Sequence, residues 1–307
     1  MSIAIIAPGQ VRSNWARHFS SLDSTLRVEV WPEIKNPNDI TCAVVWKHPR
    51  GVLNDYPNLQ LICSMGAGVD SILDDPGLPN VPITKVVDDQ LSRDMSNYII
   101  QGILNFQRDF VGHLKARNRN EWIKSFRIPK QLTIGILGLG ELGSDVAAKL
   151  KALEFEVCGY SRSPKEIRGV ACFSGDEGLD LFLGKSDLLV CLLPLTEATS
   201  GILNLELFKK LKPGAYLINV ARGAHVNDED LIAALDEGFI SGALLDVFNE
   251  EPLPPGHIFW GRQEIMITPH NASITNPKSV AQQIYENFKR IGTSNDFRNL
   301  IERNKGY

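Results

Sequence analysis

Three residues that could share one reaction each follow an apolar run of the chain. Arg222 comes after AYLINV, Glu251 comes shortly after GALLDVF, and His270 comes after IMITP. A histidine can donate a proton near neutral pH, and a carboxylate on its second ring nitrogen favours the charged ring and fixes its orientation. An arginine can hold a carboxylate and polarise a neighbouring carbonyl group. The three residue types therefore predict reduction of a keto acid, in which the carbonyl carbon accepts a hydride and His270 protonates the oxygen.

Each of these residues also has an ordinary structural interpretation when it is taken alone. A loop histidine is usually only polar, Glu251 could be a surface charge beside a turn proline, and Arg222 could cap a helix or pair with Asp228. It is much less common for three such residues to follow strand-like runs in a chain that also has a glycine-rich turn, so we favour the catalytic interpretation. The remaining histidines lack such a setting and are interpreted as structural or surface residues: His18, His48, His113, His225 and His257.

The glycine-rich turn follows the strand-like run TIGIL, opens a helix-like segment, and reads Gly138-Leu139-Gly140-Glu141-Leu142-Gly143. The first glycine permits a tight turn, the second lets the backbone approach a pyrophosphate, and the third lets the helix pack close to the strand. The free amides of the first helical turn, at Glu141, Leu142 and Gly143, would then face the phosphates. Glycine loops are common, but this one has the strand before it and the helix after it that a dinucleotide site requires.

The end of the next strand indicates which dinucleotide is bound. Sites specific for NAD place an Asp or Glu there, on the ribose 2′-hydroxyl. This sequence has Ser161, Arg162 and Ser163, followed by Lys165, and its first carboxylate is Glu166. A guanidinium suits a phosphate because its planar fork donates two parallel hydrogen bonds. Arginine is also common in solvated loops, but the missing acid and the present cations both favour NADPH, with NADH possible.

The predicted elements place these residues at the ends of strands. Short apolar runs that are typical of strands occur in the first ninety residues at 3–7, 42–46, 59–64 and 83–87. A helix is predicted over 92–117, and the polar segment 118–130 is predicted to be an exposed arm. Further strands are predicted at 133–137, 157–160, 188–193, 216–220, 243–247 and 265–268. A last helix, at 277–291, is expected to close the second domain.

Strands that are apolar on both faces and alternate with helices indicate parallel sheets covered on two sides. The chain is also longer than one core usually supports. We therefore expect an α/β fold of two Rossmann-like, doubly wound parallel-sheet domains around a central cleft. The substrate domain is predicted to comprise residues 1–95 and 284–307, and the dinucleotide-binding domain residues 96–283.

Composition and charge argue against several other classes of protein. Hydrophobic residues make up 43% and charged residues 22% of the 307, which is ordinary for a globular protein. The net charge of −4, without a block of Lys and Arg, argues against binding to nucleic acid or an anionic membrane. We recognise no signal peptide and no apolar stretch of spanning length. The five cysteines are scattered without a Cys-x-x-Cys pair, so we expect reduced thiols, no metal site and a cytoplasmic location.

Longer motifs resemble the D-isomer-specific 2-hydroxyacid dehydrogenase family, and the resemblance covers nearly the whole chain. It is densest between residues 135 and 275, in GILGLGELGS, LLPLTEATSGILN, LKPGAYLINVARG, GALLDVFNEEPLP and ITPHNA. Arg222, Glu251 and His270 occur in the family's catalytic order. The family resemblance thus implies the same fold and the same hydride-transfer chemistry as the residues do.

The resemblance also implies roles for further residues. The loop SMGAGVD is similar to the family's substrate loop, whose backbone amides bind the substrate carboxylate, and an indole beside it would limit substrate size. The residues implied in substrate binding are Trp46, Met65, Gly66, Ala67 and Gly68. Further residues implied in cofactor binding are Leu193, Pro194, Thr199, Val220, Ala221, Ala272 and Asp246, the last on the nicotinamide carboxamide.

Within the family, the motifs VVWKHP, SMGAGVDSIL, YSR, ARGAHV, EPLPP, PHNASIT and the closing Lys305-Gly306-Tyr307 are most similar to the glyoxylate/hydroxypyruvate reductases, which prefer NADPH. This branch implies reduction of glyoxylate and hydroxypyruvate, and a homodimer built on the helix at 92–117 and the arm near Trp122. Two alternatives stay open. A formate dehydrogenase of this fold would not require Glu251 beside the histidine, and a cofactor-sensing binding protein could retain the whole catalytic set.

Overall fold

The computed structural model describes residues 1–9, 11–124 and 131–306. The described strands are β1 (Ser2–Ile6), β2 (Arg27–Val30), β3 (Ile40–Val45), β4 (Leu61–Ser64), β5 (Ile83–Thr84), β6 (Thr133–Leu137), β7 (Glu156–Tyr160), β8 (Ala171–Phe173), β9 (Leu188–Cys191), β10 (Ala215–Asn219), β11 (Ile240–Leu245) and β12 (Ile265–Ile267). The described α-helices are α1 (Val11–Leu22), α2 (Asp70–Leu73), α3 (Asp89–Gln107), α4 (Phe110–Asn118), α5 (Glu141–Ala152), α6 (Gly175–Lys185), α7 (Leu205–Lys210), α8 (Asp228–Asp236) and α9 (Pro277–Lys289). Short 3₁₀ helices span Pro37–Asp39, Val52–Asp55, Gly223–His225, Ile258–Gly261 and Arg303–Lys305.

The chain divides into two compact units. Unit 1 comprises Met1–Leu91 and Thr275–Tyr307, and unit 2 comprises Ser92–Ile274. Unit 1 is built on a five-stranded sheet in the order β2-β1-β3-β4-β5, and its paired strands are parallel. Every residue of β1, β3 and β4 is buried, because apolar clusters lie on both faces of the sheet. The carboxyl ends of β3 and β4 carry the loops that begin at Trp46 and Met65.

The last helix differs from the prediction that it closes the second domain. Helix α9 belongs to unit 1, where Val280 and Ile284 lie in one core cluster with Trp15 of α1. The Tyr285 hydroxyl also donates to Asp23 at 2.7 Å. The amphipathic period of the sequence predicts the helix correctly, but a period does not say which of two sheets the apolar face will cover.

Unit 2 contains a seven-stranded sheet in the order β12-β11-β10-β9-β6-β7-β8, again with parallel pairs. Apolar clusters cover both faces of this sheet. The chain runs outward from β6 through β7 to β8 and then returns to β9 on the other side of β6. Ligands of doubly wound sheets bind outside the carboxyl ends of the strands at such a reversal, so the loops after β6 and β9 are the natural binding position.

The predicted helix over 92–117 is two helices in the structure. Helix α3 ends at Gln107 and α4 begins at Phe110, because Asp109 adopts a left-handed backbone conformation with a φ of +51°. Asp visits this region more readily than most residues, and no glycine or proline marks the break in the sequence. Residues 119–124 of the predicted arm carry no regular element, while residues 125–130, like Tyr307, lie outside the described residues. Among the helices that the structure describes, none has both the length and the apolar character needed to cross a membrane.

Candidate active site

The glycine-rich turn after β6 has the shape of a phosphate-binding turn. Gly138 has a φ of +112°, which favours glycine. A side-chain carbon on Gly143 would lie 1.9 Å from the Gly138 oxygen, so the helix can pack this closely only with glycine there. A side-chain carbon on Gly140 would meet no heavy atom within 4 Å, chain neighbours aside. Helix α5 begins at Glu141, and its first amides have no partner in the helical ladder. The open space at Gly140 and these amides, including that of Leu142, fit a pyrophosphate.

The loop after β7 carries hydroxyl and cationic groups. Ser161 is half-buried, and Arg162, Ser163 and Lys165 are exposed. The Ser161 hydroxyl donates to the Ser163 carbonyl at 2.8 Å, which bends the backbone at Arg162. The loop offers hydrogen-bond donors and has no carboxylate before Glu166. It therefore fits a 2′-phosphate better than a ribose diol.

His270 and Glu251, the predicted acid–base pair, lie in hydrogen-bonding contact. His270 Nδ1 lies 2.9 Å from Glu251 Oε2 and 3.0 Å from Oε1, and the two side chains are 31% and 22% exposed. The Phe248 amide donates to Glu251 Oε1 at 3.2 Å, which fixes the carboxylate. Because an ionised carboxylate only accepts hydrogen bonds, Nδ1 carries the proton in this pair. The second ring nitrogen, Nε2, is therefore the one that can act on a substrate.

The turn that holds His270 has an unusual backbone. His270 has a φ of +52°, and such a conformation costs a residue other than glycine about 1–3 kcal/mol unless its surroundings hold it. Its amide donates to the Asp246 carbonyl at 2.8 Å and to the Thr268 carbonyl at 3.1 Å. The Asp246 carboxylate accepts from the Thr268 hydroxyl at 2.6 Å and from the Asn271 and Ala272 amides at 3.0 and 2.9 Å. Asp246 is 1% exposed, so it holds this turn from inside the protein.

Arg222 lies in a turn after β10 that neighbouring side chains hold in place. The Asn219 side chain accepts from the Ala221 amide at 3.2 Å and donates to the Arg222 carbonyl at 2.9 Å. His225, which is fully buried, places Nδ1 3.1 Å from the same carbonyl and Nε2 3.4 Å from the Pro194 carbonyl. His225 thus ties the turn after β10 to the loop after β9, which is a structural role, as the sequence predicts.

The three catalytic candidates follow neighbouring strands. Strands β10, β11 and β12 are adjacent in the sheet, and Arg222, Glu251 and His270 follow their carboxyl ends in that order. A side-chain carbon on Gly223 would lie 1.9 Å from the Phe248 carbonyl carbon, so the turn of Arg222 packs directly on the loop that leads to Glu251. The fold therefore brings all three to one end of one sheet.

The other predicted cofactor residues lie in the loops after β9 and β10. The Thr199 hydroxyl donates to the Pro194 carbonyl at 2.7 Å and accepts from the Thr196 amide at 2.9 Å, so it closes the loop after β9. Leu193, Pro194 and Thr199 are half-buried, whereas Val220 and Ala221 are buried. The loop after β9 stands at the reversal of strand order, beside the glycine-rich turn, and the loop after β10 follows the next strand of the sheet.

The predicted substrate loop connects β4 to α2 in unit 1. The Ser64 hydroxyl donates to the Gly68 carbonyl at 3.0 Å and accepts from the Gly66 amide at 3.1 Å, which closes the loop on itself. Within the described ranges the structure records no acceptor for the amides of Ala67 and Gly68, and both residues are half-buried. These two amides can bind a carboxylate.

Trp46 follows β3 and contacts this loop. A side-chain carbon on Gly66 would lie 2.9 Å from the indole Cζ3 of Trp46, and the indole is half-buried. Met65 differs from the expectation that it binds substrate. Its side chain is 3% exposed and packs in the core of unit 1, and its amide donates to the Val45 carbonyl at 3.0 Å. Met65 therefore supports the loop from beneath.

A buried pair holds the backbone beyond Trp46. His48 Nε2 lies 3.2 Å from Asp75 Oδ2, and both side chains are 1% exposed. Asp75 also accepts from the amides of Gly51 and Gly77, each at 2.9 Å. Burial alone would raise the pKa of Asp75, but these amides and His48 outweigh it and lower the pKa below its usual value. The pair joins residues 27 positions apart, so no local pattern predicts it.

Sequence reasoning also missed residues that hold the catalytic turns. Asn219 is fully buried within the apolar run AYLINV, and an amide side chain inside a buried strand is a signal that could have revealed its role. Tyr98 and Thr268, whose hydroxyls are hydrogen-bonded to each other, gave no such signal. Among the described residues, no group of three His, Cys, Asp or Glu side chains is placed to hold a metal ion.

A glycine-rich turn that fits a pyrophosphate and a paired histidine and glutamate lie at the same end of one parallel sheet. This arrangement is typical of a class, the Rossmann-type dinucleotide-binding proteins. Residues 100–272 match the NAD binding domain of the D-isomer specific 2-hydroxyacid dehydrogenases. The chain belongs to this family, as its motifs predict.

Relatives match the chain over its full length. The chain is 39% identical to glyoxylate/hydroxypyruvate reductase A of Serratia proteamaculans (strain 568), with 100% of both covered. It is similar in structure, with a TM-score of 0.95 and 36% identity, to a D-isomer specific 2-hydroxyacid dehydrogenase from Xanthobacter autotrophicus Py2 in complex with NADPH and MES, covering 100% of this chain and 99% of that one. The NADPH-dependent glyoxylate/hydroxypyruvate reductase of Sinorhizobium meliloti, in complex with NADP and sulfate, gives a TM-score of 0.94 and 33% identity, with 100% of both covered. The predicted fold class of two parallel-sheet α/β domains is confirmed.

Proposed function

We propose that this protein reduces small 2-keto acids, glyoxylate and hydroxypyruvate above all, to 2-hydroxy acids with NADPH, giving the D isomer where the product is chiral. The hydrogen bond between His270 Nδ1 and Glu251 carries the proposal, because it orients the ring and leaves the Nε2 proton of the charged ring available for transfer. The names of the relatives from Serratia and Sinorhizobium support the same substrates. Unit 1 would be the substrate domain and unit 2 the dinucleotide-binding domain.

Each residue then has a defined step. When bound, NADPH supplies a hydride to the carbonyl carbon of the substrate. As the new C–H bond forms, His270 Nε2 gives its proton to the carbonyl oxygen, which leaves an alcohol and a neutral imidazole. Glu251 stabilises the charged ring before this transfer, and Arg222 holds the negative carboxylate and polarises the carbonyl.

Turnover is the test of this function. Purified protein should oxidise NADPH in the presence of glyoxylate, which is followed by the loss of nicotinamide absorbance. A cofactor-sensing protein would bind NADPH without turnover, and a formate dehydrogenase would instead reduce the oxidised cofactor with formate. Either of these results would contradict the proposal.

The preference for NADPH is proposed to depend on the loop after β7. The NADPH and NADP bound to the structural relatives support the preference itself. Arg162→Ala should raise KM for NADPH by about 10- to 150-fold, since a lost charged hydrogen bond is worth about 1.5–3 kcal/mol. KM for NADH should hardly change. Arg168→Ala is the matched control, because Arg168 is exposed on the same connection between β7 and β8. Equal effects on both cofactors would show that Arg162 does not read the 2′-phosphate.

Substrate size is proposed to depend on Trp46. The indole contacts Gly66 of the substrate loop, so it would leave room beyond C2 for a hydrogen or a hydroxymethyl group but not for a branched chain. Trp46→Ala should raise kcat/KM for a branched 2-keto acid relative to glyoxylate. The gain in transition-state binding should be about 1–3 kcal/mol for each methylene group that the variant accommodates. An unchanged substrate ranking in the variant would remove Trp46 from specificity.

We also propose that the protein is a cytoplasmic homodimer. Large apolar side chains are exposed on α3, α4 and the residues after them, among them Phe110 at 49%, Trp122 at 91% and Ile123 at 52%. We propose these exposed side chains as the association surface, since large exposed apolar patches mark sites of protein–protein contact. Scattered cysteines without pairing motifs suit a reducing compartment.

A further inference from the structure

A chain of hydroxyl groups leads from helix α3 to the turn of His270. The Tyr98 hydroxyl, on α3, is hydrogen-bonded to the Thr268 hydroxyl, directly after β12. The Thr268 hydroxyl is 2.6 Å from Asp246 Oδ1. Both Tyr98 and Thr268 are half-buried. Residues 170 positions apart are thus joined beneath the candidate catalytic histidine.

The direction of each hydrogen bond in this chain is determined by the proton count. An ionised carboxylate only accepts, so Thr268 donates its single hydroxyl proton to Asp246. Thr268 then has no proton left for Tyr98, so Tyr98 must be the donor to Thr268. Burial raises the pKa of Tyr98 to about 12, so the phenol keeps the proton that this arrangement needs.

The acceptor at the end of the chain is the residue that holds the catalytic turn. Asp246 accepts the amides of Asn271 and Ala272, on either side of the same carboxylate, while its carbonyl accepts the amide of His270. His270 keeps a left-handed backbone, with a φ of +52°, only while such bonds hold it. Rotation of the Asp246 carboxylate would release both amides at once.

We propose that Tyr98 and Thr268 are positioning residues for proton transfer, which act by fixing the Asp246 carboxylate and through it the orientation of His270. This inference rests on the proposed function for its catalytic consequence. Its structural part, the anchoring of the turn at 268–272, can be measured without any substrate.

Four variants of the full-length protein test the chain. Thr268→Val removes the hydroxyl at nearly constant shape, Thr268→Ser restores it, and Tyr98→Phe removes the first donor. Tyr285→Phe is the matched control, since it removes a half-buried tyrosine hydroxyl that binds a different carboxylate, Asp23. Amide hydrogen exchange of the segment 268–274 is measured by mass spectrometry, together with kcat and KM for NADPH with glyoxylate as substrate.

Thr268→Val and Tyr98→Phe should speed exchange at the Asn271 and Ala272 amides and lower kcat about tenfold or more, because a misplacement of about 1 Å can cost about 100-fold in rate. Thr268→Ser and Tyr285→Phe should behave as wild type in exchange, kcat and KM. Wild-type exchange and kcat in both Thr268→Val and Tyr98→Phe would overturn this inference. If the wild-type protein shows no turnover but exchange is faster in those two variants, the anchoring is supported and the proposed function is overturned instead.

Discussion

At the scale of single residues, the geometry of one carboxylate determines which proton can move. Glu251 accepts from His270 Nδ1 at 2.9 Å and from the Phe248 amide at 3.2 Å. The amide prevents the carboxylate from turning away, so the imidazole keeps one orientation and one tautomer. A charged ring beside a charged partner is the state that can protonate a carbonyl oxygen during hydride transfer.

Glu251→Gln tests this pairing. A glutamine side chain carries no negative charge and can accept through only one of its two terminal atoms, so it holds the imidazole less firmly than the carboxylate does. kcat for keto acid reduction should therefore fall, while Kd for NADPH stays near that of wild type. Glu250→Gln, one position earlier and exposed, should keep the wild-type kcat. An unchanged kcat in the Glu251 variant would remove Glu251 from the mechanism.

The position of the candidate catalytic residues at one end of a sheet could be predicted from sequence, whereas the residues that hold them could not. Arg222, Glu251 and His270 follow apolar strands, and the carboxyl ends of parallel strands meet at one edge of a sheet. The bond between Tyr98 and Thr268 depends on how a helix packs on that sheet, which no local pattern records.

At the scale of the elements, the strand–turn–helix unit around β6 and α5 separates two uses of glycine. Gly143 is needed for packing, because a side-chain carbon there would lie 1.9 Å from the Gly138 oxygen. Gly140 has an ordinary backbone, with a φ of −77°, and open space above it. A side chain at Gly143 should therefore disturb the fold, whereas a side chain at Gly140 should disturb only a bound ligand.

Gly143→Ala and Gly140→Ala form a matched pair. Gly143→Ala should lower the free energy of unfolding by about 1–3 kcal/mol or more, because the helix must move away from the turn. Gly140→Ala should leave Tm within a few degrees of wild type but raise Kd for NADPH, because a methyl group fills the space for the pyrophosphate. Thermal unfolding and cofactor titration measure the two effects. Tight NADPH binding by the Gly140 variant would show that the pyrophosphate does not lie there.

The free energy of unfolding should depend on pH in the acid range because of Asp75, which holds the loop after β3. The Asp75 carboxyl has a pKa below its usual value of 3.8, because hydrogen bonds from Gly51, Gly77 and His48 outweigh burial. A depressed pKa stabilises the fold fully above pH 3.8, and the stabilisation is lost as pH falls toward the lower, folded-state value. Asp75→Asn should therefore flatten the fall of unfolding free energy below about pH 4, measured by urea titration at several pH values. Asp74→Asn, at an exposed neighbour, should keep the wild-type dependence of unfolding free energy on pH. The same dependence in the Asp75 variant as in wild type would contradict this account.

At the scale of the whole molecule, the sequence predicts two α/β domains but not every element within them. Strands β2 and β8 were not predicted, since both are partly exposed edge strands with little apolar pattern. Helix α9 has a clear amphipathic period, but its assignment to unit 1 depends on the core around Trp15. Sheet order and helix placement are decided by packing between distant segments.

The proposed homodimer gives a prediction at this scale. Trp122→Glu places a charge on the most exposed large apolar side chain of the described residues and should shift the protein toward the monomer. Trp260→Glu is the matched control, because Trp260 is also exposed, at 53%, but lies away from α3 and α4 in the sequence. Sedimentation at several concentrations measures the assembly. A wild-type monomer, or a dimer that the Trp122 variant leaves intact, would contradict the proposed surface.

The most direct test of the central claim is the turnover of His270→Ala with NADPH and glyoxylate, measured beside its affinity for NADPH. His257→Ala is the matched control, because His257 also pairs with a carboxylate, that of Asp228, at 3.1 Å and is similarly exposed. Loss of the general acid should lower kcat by about 100- to 10,000-fold, while Kd for NADPH stays near that of wild type and the His257 variant keeps its activity. A His270 variant that reduces glyoxylate at the wild-type rate would contradict the assignment of this protein's proton donor.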